Sequence, residues 1–239
     1  MKLNINNTDY TIDEKITNLL DAFIYIKEHI NKSFSFSYGC KSGNCGSCSV
    51  RVNNIESLAC TTNIKSLDEI LPLKNLPIVK DLIVDNQNIK DKLKHSFAFL
   101  STLNQDSITT QIDVDKIDIE SSCILCNSCY SSCPVYEVNS NFIGPFALTR
   151  VYRYLNDTKE LSSKSKLDAI QTNGVWDCTL CGACSIVCPQ SIDIKNDILK
   201  LQNFSVQNGY SNPLFSSSSN NFNSGFDQFL SGGFNPNGF

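Results

Sequence analysis

The residues best suited to chemistry in this chain are twelve cysteines, and they fall into three groups. The stretch YGCKSGNCGSC and the later LAC set Cys40, Cys45, Cys48 and Cys60 as C-x4-C-x2-C-x11-C. CILCNSCYSSCP sets Cys123, Cys126, Cys129 and Cys133 as C-x2-C-x2-C-x3-C-P, and WDCTLCGACSIVCP repeats the pattern with Cys178, Cys181, Cys184 and Cys188. Thiols two residues apart turn back on one another and can share a centre, so the pattern points to cluster ligation rather than disulfides. The first spacing is that of a plant-type [2Fe–2S] site. Gly39, Gly43 and Gly46 let its loop wrap tightly and aim backbone N–H groups at sulfur, and so glycine-rich a loop argues against zinc. In two-cluster ferredoxins the fourth cysteine of each run ligates the other run's cluster. That assigns Cys123, Cys126, Cys129 and Cys188 to one [4Fe–4S] cluster and Cys178, Cys181, Cys184 and Cys133 to a second.

Other chemistries find little support. No Ser/His/Asp set or paired acid–base site is visible. His29 and His95 sit among charged residues in helical stretches and read as surface residues. No G-x-G-x-x-G fingerprint appears, so the chain is expected to hold no flavin of its own. The net charge of −4 and the lack of any basic run speak against nucleic acid and anionic lipid as direct partners. MKLNINNTDY has no apolar core of a secretion signal, and no run of apolar residues is long enough to cross a bilayer.

The elements that must position these cysteines follow from periodicity. Leu3 and Ile5, then Tyr10 and Ile12, alternate about Asn6-Asn7 and predict a hairpin. Leu19, Leu20, Phe23 and Ile30 predict a helix from Thr17 to Ile30. FSFSY (Phe34 to Tyr38) alternates as a strand, and Ser49 to Leu58 reads as a hairpin turning at Asn53-Asn54. Two hairpins around one helix give a β-grasp domain over 1–100, and Ile89, Leu93, Phe97 and Leu100 predict a last helix from Asp85 to Leu100. The polar run 101–120 reads as a connector. An all-α domain with two clusters follows over 121–205, with helices opening at Pro145, covering Ser162 to Gln171, and following Pro189. The fold class is thus α+β. Residues 206–239, rich in Ser, Asn, Gly and Phe, read as a disordered tail, either inert or docking its Phe side chains on a partner.

In this order of parts the chain resembles the iron–sulfur subunit of succinate dehydrogenase and fumarate reductase. CKSGNCGSC, LPLKNLPIVKDLIVD (71–85), CPVYEVNSNFIGPFALTRVYRYLND (133–157) and CPQSIDIKNDILKL (188–201) carry the likeness over residues 1–204. The resemblance implies a peripheral electron-transfer subunit that links an FAD-containing flavoprotein to a quinone-reactive membrane anchor, on the cytoplasmic face by default. Three departures mark a divergent branch. The usual family member has three cysteines at its last, [3Fe–4S], cluster, where this chain adds Cys181. Thr179 stands where many members carry His, and Val135-Tyr136-Glu137 where many carry Trp. The rival readings are a thiol- or heterodisulfide-linked fumarate reductase subunit, a molybdenum hydroxylase small subunit, which lacks the paired runs, and a soluble polyferredoxin.

Overall fold

The computed structural model describes residues 1–213. The N-terminal part is a five-stranded sheet with one helix across it. Its strands are β1 (Lys2–Ile5), β2 (Thr8–Thr11), β3 (Ser49–Val52), β4 (Ile55–Leu58) and β5 (Glu69–Leu71), in spatial order β2-β1-β5-β3-β4. Only β1 and β5 run parallel. Both predicted hairpins form, and both turn on asparagine pairs in the left-handed region, Asn6-Asn7 at φ 48° and 62° and Asn53-Asn54 at 50° and 65°. A type I′ two-residue hairpin turn needs positive φ at both positions, and asparagine tolerates it better than most side chains. Helix α1 (Leu19–Tyr25) is capped by Asn18, whose side chain accepts from the N–H groups of Leu20 and Asp21. It runs on as a wider π-helical turn, Ile26–Ile30, so the predicted helix is present but changes type midway. Leu19, Leu20, Phe23 and Ile26 are buried with Leu3, Ile5, Val50 and Ile70 of the sheet. Each such burial is worth about 1.5–3 kcal/mol.

FSFSY is not a strand. Its backbone bonds are mixed and form no ladder: Lys27 Nζ donates to Phe34 O at 2.7 Å, Ser35 N–H to Asp81 Oδ2 at 2.8 Å, and Leu82 N–H to Ser35 O at 3.2 Å. The period-2 signal was nonetheless real, because Phe34, Phe36 and Tyr38 form a row of rings with centroids 5.4 and 5.6 Å apart. A short ribbon follows, β6 (Ile78–Lys80) and β7 (Ile83–Val84), then α2 (Gln87–His95). The polar 101–120 stretch carries two short helices, α3 (Gln111–Asp115) and α4 (Asp118–Ser121), the first opened by a reciprocal Thr110/Asp113 capping box.

The second core is helical. It comprises α5 (Ser128–Ser131), α6 (Pro134–Val138), α7 (Pro145–Leu155), α8 (Ser163–Ala169), α9 (Ala183–Ile186) and α10 (Ile194–Gln207). Helix α7 packs along α10, with Leu148, Val151, Ile198 and Leu201 buried between them. Pro145 occupies the first turn of α7, as the sequence predicts. Gly144 before it cannot carry a side chain, since a Cβ there would lie 2.0 Å from the buried Tyr130 ring. Helix α10 carries the fold past residue 205, and Tyr210 Oη donates to Asp168 Oδ1. The part of the predicted tail from 214 to 239 lies outside the described residues.

The two cores are stitched together by LPLKNLP. Leu73 and Leu76 belong to the helical core, not to the sheet's. Lys74 N–H donates to Ser131 Oγ at 2.8 Å, Asn75 Nδ2 to the carbonyls of Tyr130 and Ser131 at 3.1 Å, and Ser131 Oγ to Glu56 Oε1 at 2.7 Å. A fully buried Lys166–Glu160 ion pair, 2.9 Å apart, also receives the chain after α2 through the carbonyls of Phe97 and Phe99.

Candidate iron–sulfur centres

The first group lies on the loop between α1 and β3, closed by Cys60 in the turn after β4. Its amides point at sulfur. Ser42 and Asn44 N–H donate to Cys40 Sγ at 3.4 and 3.2 Å, Cys40 N–H to Cys45 Sγ at 3.4 Å, and Gly43 N–H to Cys60 Sγ at 3.3 Å. Donation from Ser42, then Asn44, lowers Cys40 to about 6, so this exposed thiol is ready to bind metal as thiolate. Buried Cys48 is instead pushed up to about 11, and a bound metal must displace its proton. Gly46 has a reason beyond loop curvature. At φ 69° it lies against the second group, and a Cβ there would sit 2.8 Å from Cys126 Cβ.

The two paired runs fold alike. Leu125 and Asn127 have φ 54° and 67°; the matching Leu180 and Gly182 have 54° and 81°. Each loop then enters a one-turn helix, α5 or α9, that holds the third cysteine, Cys129 or Cys184. The fourth cysteines cross over. Burial raises the Cys123 thiol, and Cys126 and Cys188 are the sulfurs that add to the push. Burial likewise lifts Cys129 well above its ordinary value, with Cys126, Cys123, Cys184 and Cys188 as neighbours. On the other side, burial raises Cys178, with Cys133 and Cys181 beside it, and pushes Cys184 up to about 12, with Cys178, Cys133 and Cys181 around it. Cys188 thus lies beside Cys123 and Cys126, and Cys133 beside Cys178 and Cys184, while Cys184 also approaches Cys129. Cys123, Cys126, Cys129 and Cys188 line one cavity. Among the described residues no three potential ligands converge on a single ion.

The runs differ in cover. Cys126 is half-buried under the Gly46 loop, while Cys181 is exposed. Two features had no clear sequence signal. One is Gln190, whose side chain reaches Gly43 in the first group's loop. The other is Asp197 on α10, pushed up to about 8 by burial and by the Glu120 carboxylate. Its Oδ2, like the Oγ1 of Thr149 in the cavity wall, has no hydrogen-bond partner among the described residues. His29 and His95 are exposed, as read.

Comparison with known proteins agrees with this geometry. A model of the 2Fe-2S iron–sulfur cluster binding domain matches residues 4–91, and one of the 4Fe-4S dicluster domain matches 120–192. The fumarate reductase iron–sulfur subunit of Escherichia coli O6:H1 is 36% identical over 186 residues, covering 74% of this chain and 76% of that protein. The chain belongs to the fumarate reductase/succinate dehydrogenase iron–sulfur subunit family. The member from Mycobacterium tuberculosis is 32% identical with 73% of this chain covered. The Mycobacterium smegmatis Sdh1 complex in the apo form has a chain of the same fold, at TM-score 0.79 and 21% identity, covering 88% of this chain and 97% of that one. A subunit of the CoM/CoB fumarate reductase of Methanothermobacter marburgensis is 29% identical, but this chain spans only 40% of its length. No helix among the described residues is long and apolar enough to cross a membrane.

Proposed function

We propose that this iron–sulfur subunit is a non-catalytic electron wire, joining a flavoprotein that interconverts succinate and fumarate to a membrane quinone or quinol. The supporting observation is the crossed pairing of the two runs beside a separate amide-rich cysteine loop, in a chain of this family. Cys40, Cys45, Cys48 and Cys60 would hold a [2Fe–2S] cluster. Cys123, Cys126, Cys129 and Cys188 would hold a [4Fe–4S] cluster, and Cys133, Cys178, Cys181 and Cys184 a second one. Bound there, the clusters supply one-electron chemistry that a two-electron flavin needs on its quinone side.

The chain's own residues ligate, space and tune. Amides from Ser42, Gly43 and Asn44 favour the negative, reduced form of the first centre. Burial holds thiols such as Cys184 protonated until a bound metal displaces the proton, so loading depends on pH. Gly46 lets the first loop lie against Cys126. FAD flavoprotein and membrane anchor are the proposed partners, with the complex peripheral on the membrane's cytoplasmic face. A thiol-linked fumarate reductase is the second reading, favoured only by the Methanothermobacter match. The decisive experiment is purification of the native complex, followed by succinate- and fumarate-dependent turnover with defined quinones. Co-purification of an FAD subunit and quinone-linked turnover are expected; turnover only with thiols would overturn the first reading.

A further inference from the structure

Gln190 stands two residues beyond Cys188, where the second run leaves its Cys-Pro pair. Its side chain turns back across the boundary between the two cores, and Nε2 donates to the carbonyl oxygen of Gly43 at 3.2 Å. That carbonyl and the N–H of Asn44 belong to one peptide group, and the Asn44 N–H donates to Cys40 Sγ at 3.2 Å. The Gly43 N–H, one peptide earlier, donates to Cys60 Sγ at 3.3 Å. A single side chain from the helical domain thus holds the short piece of loop whose amides reach two cysteines of the first group. The backbone of Gln190 also serves its own run. Burial raises Cys188, and the N–H groups of Ile192, Gln190 and Ser191 oppose that rise.

We propose that Gln190 is a positioning residue for the Cys40–Cys60 centre, strengthening through the Gly43–Asn44 peptide the amide donor on Cys40 and so setting that centre's potential. The inference rests on the cluster assignment above. A carbonyl that accepts a hydrogen bond polarises its peptide, and the N–H at the other end becomes a better donor, by about 10–30% per bond. A stronger donor on a ligand sulfur favours the reduced cluster, which carries the extra negative charge. The domain contact alone does not require Gln190, since Lys74, Asn75 and Ser131 already join the two cores.

The test is a redox titration of the full-length chain, loaded with iron and sulfide under anaerobic conditions and followed by the EPR signal of the reduced [2Fe–2S] cluster. Gln190→Leu removes the donor and should shift the one-electron equilibrium toward the oxidised form by about threefold, ~28 mV at 59 mV per tenfold. Gln190→Glu sets an acceptor against the carbonyl and should lower the potential further. Gln190→Lys keeps a donor and should match or exceed the unsubstituted protein. The Cys123 centre should move less than the first in the Leu variant, because the Gln190 backbone N–H remains. An unshifted Gln190→Leu, or an equal fall in all three variants, overturns the proposal. Should Gln190→Leu fail to hold its cluster, Gln190→Lys decides alone, and a fall in its potential counts against the idea. An unsubstituted chain with no [2Fe–2S] signal would instead sink the cluster assignment.

Discussion

The loops Cys123–Cys129 and Cys178–Cys184 are two copies of one turn placed in different surroundings. Their left-handed residues match in position and nearly in angle, and each feeds its buried third cysteine into a one-turn helix. Yet the middle cysteine of the first copy is covered by the Gly46 loop, while the middle cysteine of the second is open to solvent. Backbone conformation is therefore not what separates the two centres. Cover is, and cover sets both solvent access and the ease with which one ligand can be changed.

The largest effect that would break this comparison is at the crossover. Cys188→Ser should abolish the cluster at Cys123, Cys126 and Cys129 while Cys178, Cys181 and Cys184 keep theirs. Because cluster binding is folding free energy, the segment around Cys123–Cys129 should lose protection. Iron and sulfide analysis with EPR checks it, and loss of only the Cys178 signal would mean that the runs do not cross. Next comes the cover itself. Gly46→Ala adds a Cβ at positive φ, 2.8 Å from Cys126 Cβ, and should cost about 2–4 kcal/mol from strain and overpacking together. Denaturant unfolding would show it, with the Cys126 region newly exposed to hydrogen exchange.

A smaller and more specific effect is expected at the open copy. Cys181→Val should remove one iron and leave a [3Fe–4S] core on Cys133, Cys178 and Cys184, raising the potential as net charge changes. An oxidised-state three-iron EPR signal already present in the unsubstituted anaerobic protein would show that Cys181 is not a ligand. The last effect is one of pH and concerns Asp197. Its folded pKa of about 8 lies above the unfolded 3.8, so the folded state keeps a proton that the unfolded chain releases. Stability should fall as pH rises between these values, by at most about 1.4 kcal/mol per unit, and level off above pH 8. Asp197→Asn should flatten that slope, and parallel pH series of urea unfolding would reveal a slope that persists.

Much of this was legible because cysteine spacing is itself geometry. Two-residue gaps fix local turns, and the two-cluster ferredoxin pattern supplies the expectation that each fourth cysteine serves the other run. The asparagine turns were legible for the same reason, since few residues accept left-handed backbone. FSFSY misled because alternation reports which side chains share a face, not where the backbone finds its hydrogen bonds. Lys27, Asp81 and a single backbone bond from Leu82 took the place of a neighbouring strand. The polar 101–120 stretch concealed helices too short to show periodicity. Gln190 and Asp197 carried no signal at all. Their importance comes from partners far away in the chain, Gly43 for one and Glu120 for the other, and no local pattern records a neighbour met only in three dimensions.

Crossed ligation, as proposed, would give the molecule a direction in time. On the proposed ligand set, a nascent chain leaving the ribosome displays Cys123, Cys126 and Cys129 well before Cys188 has been made, so the earlier run waits as three open thiols. The later run meets the opposite situation, because its borrowed ligand, Cys133, is already there when Cys178 emerges. The cluster encoded second is thus the first that can be closed, and the earlier one is sealed only by the Cys-Pro pair at residue 188.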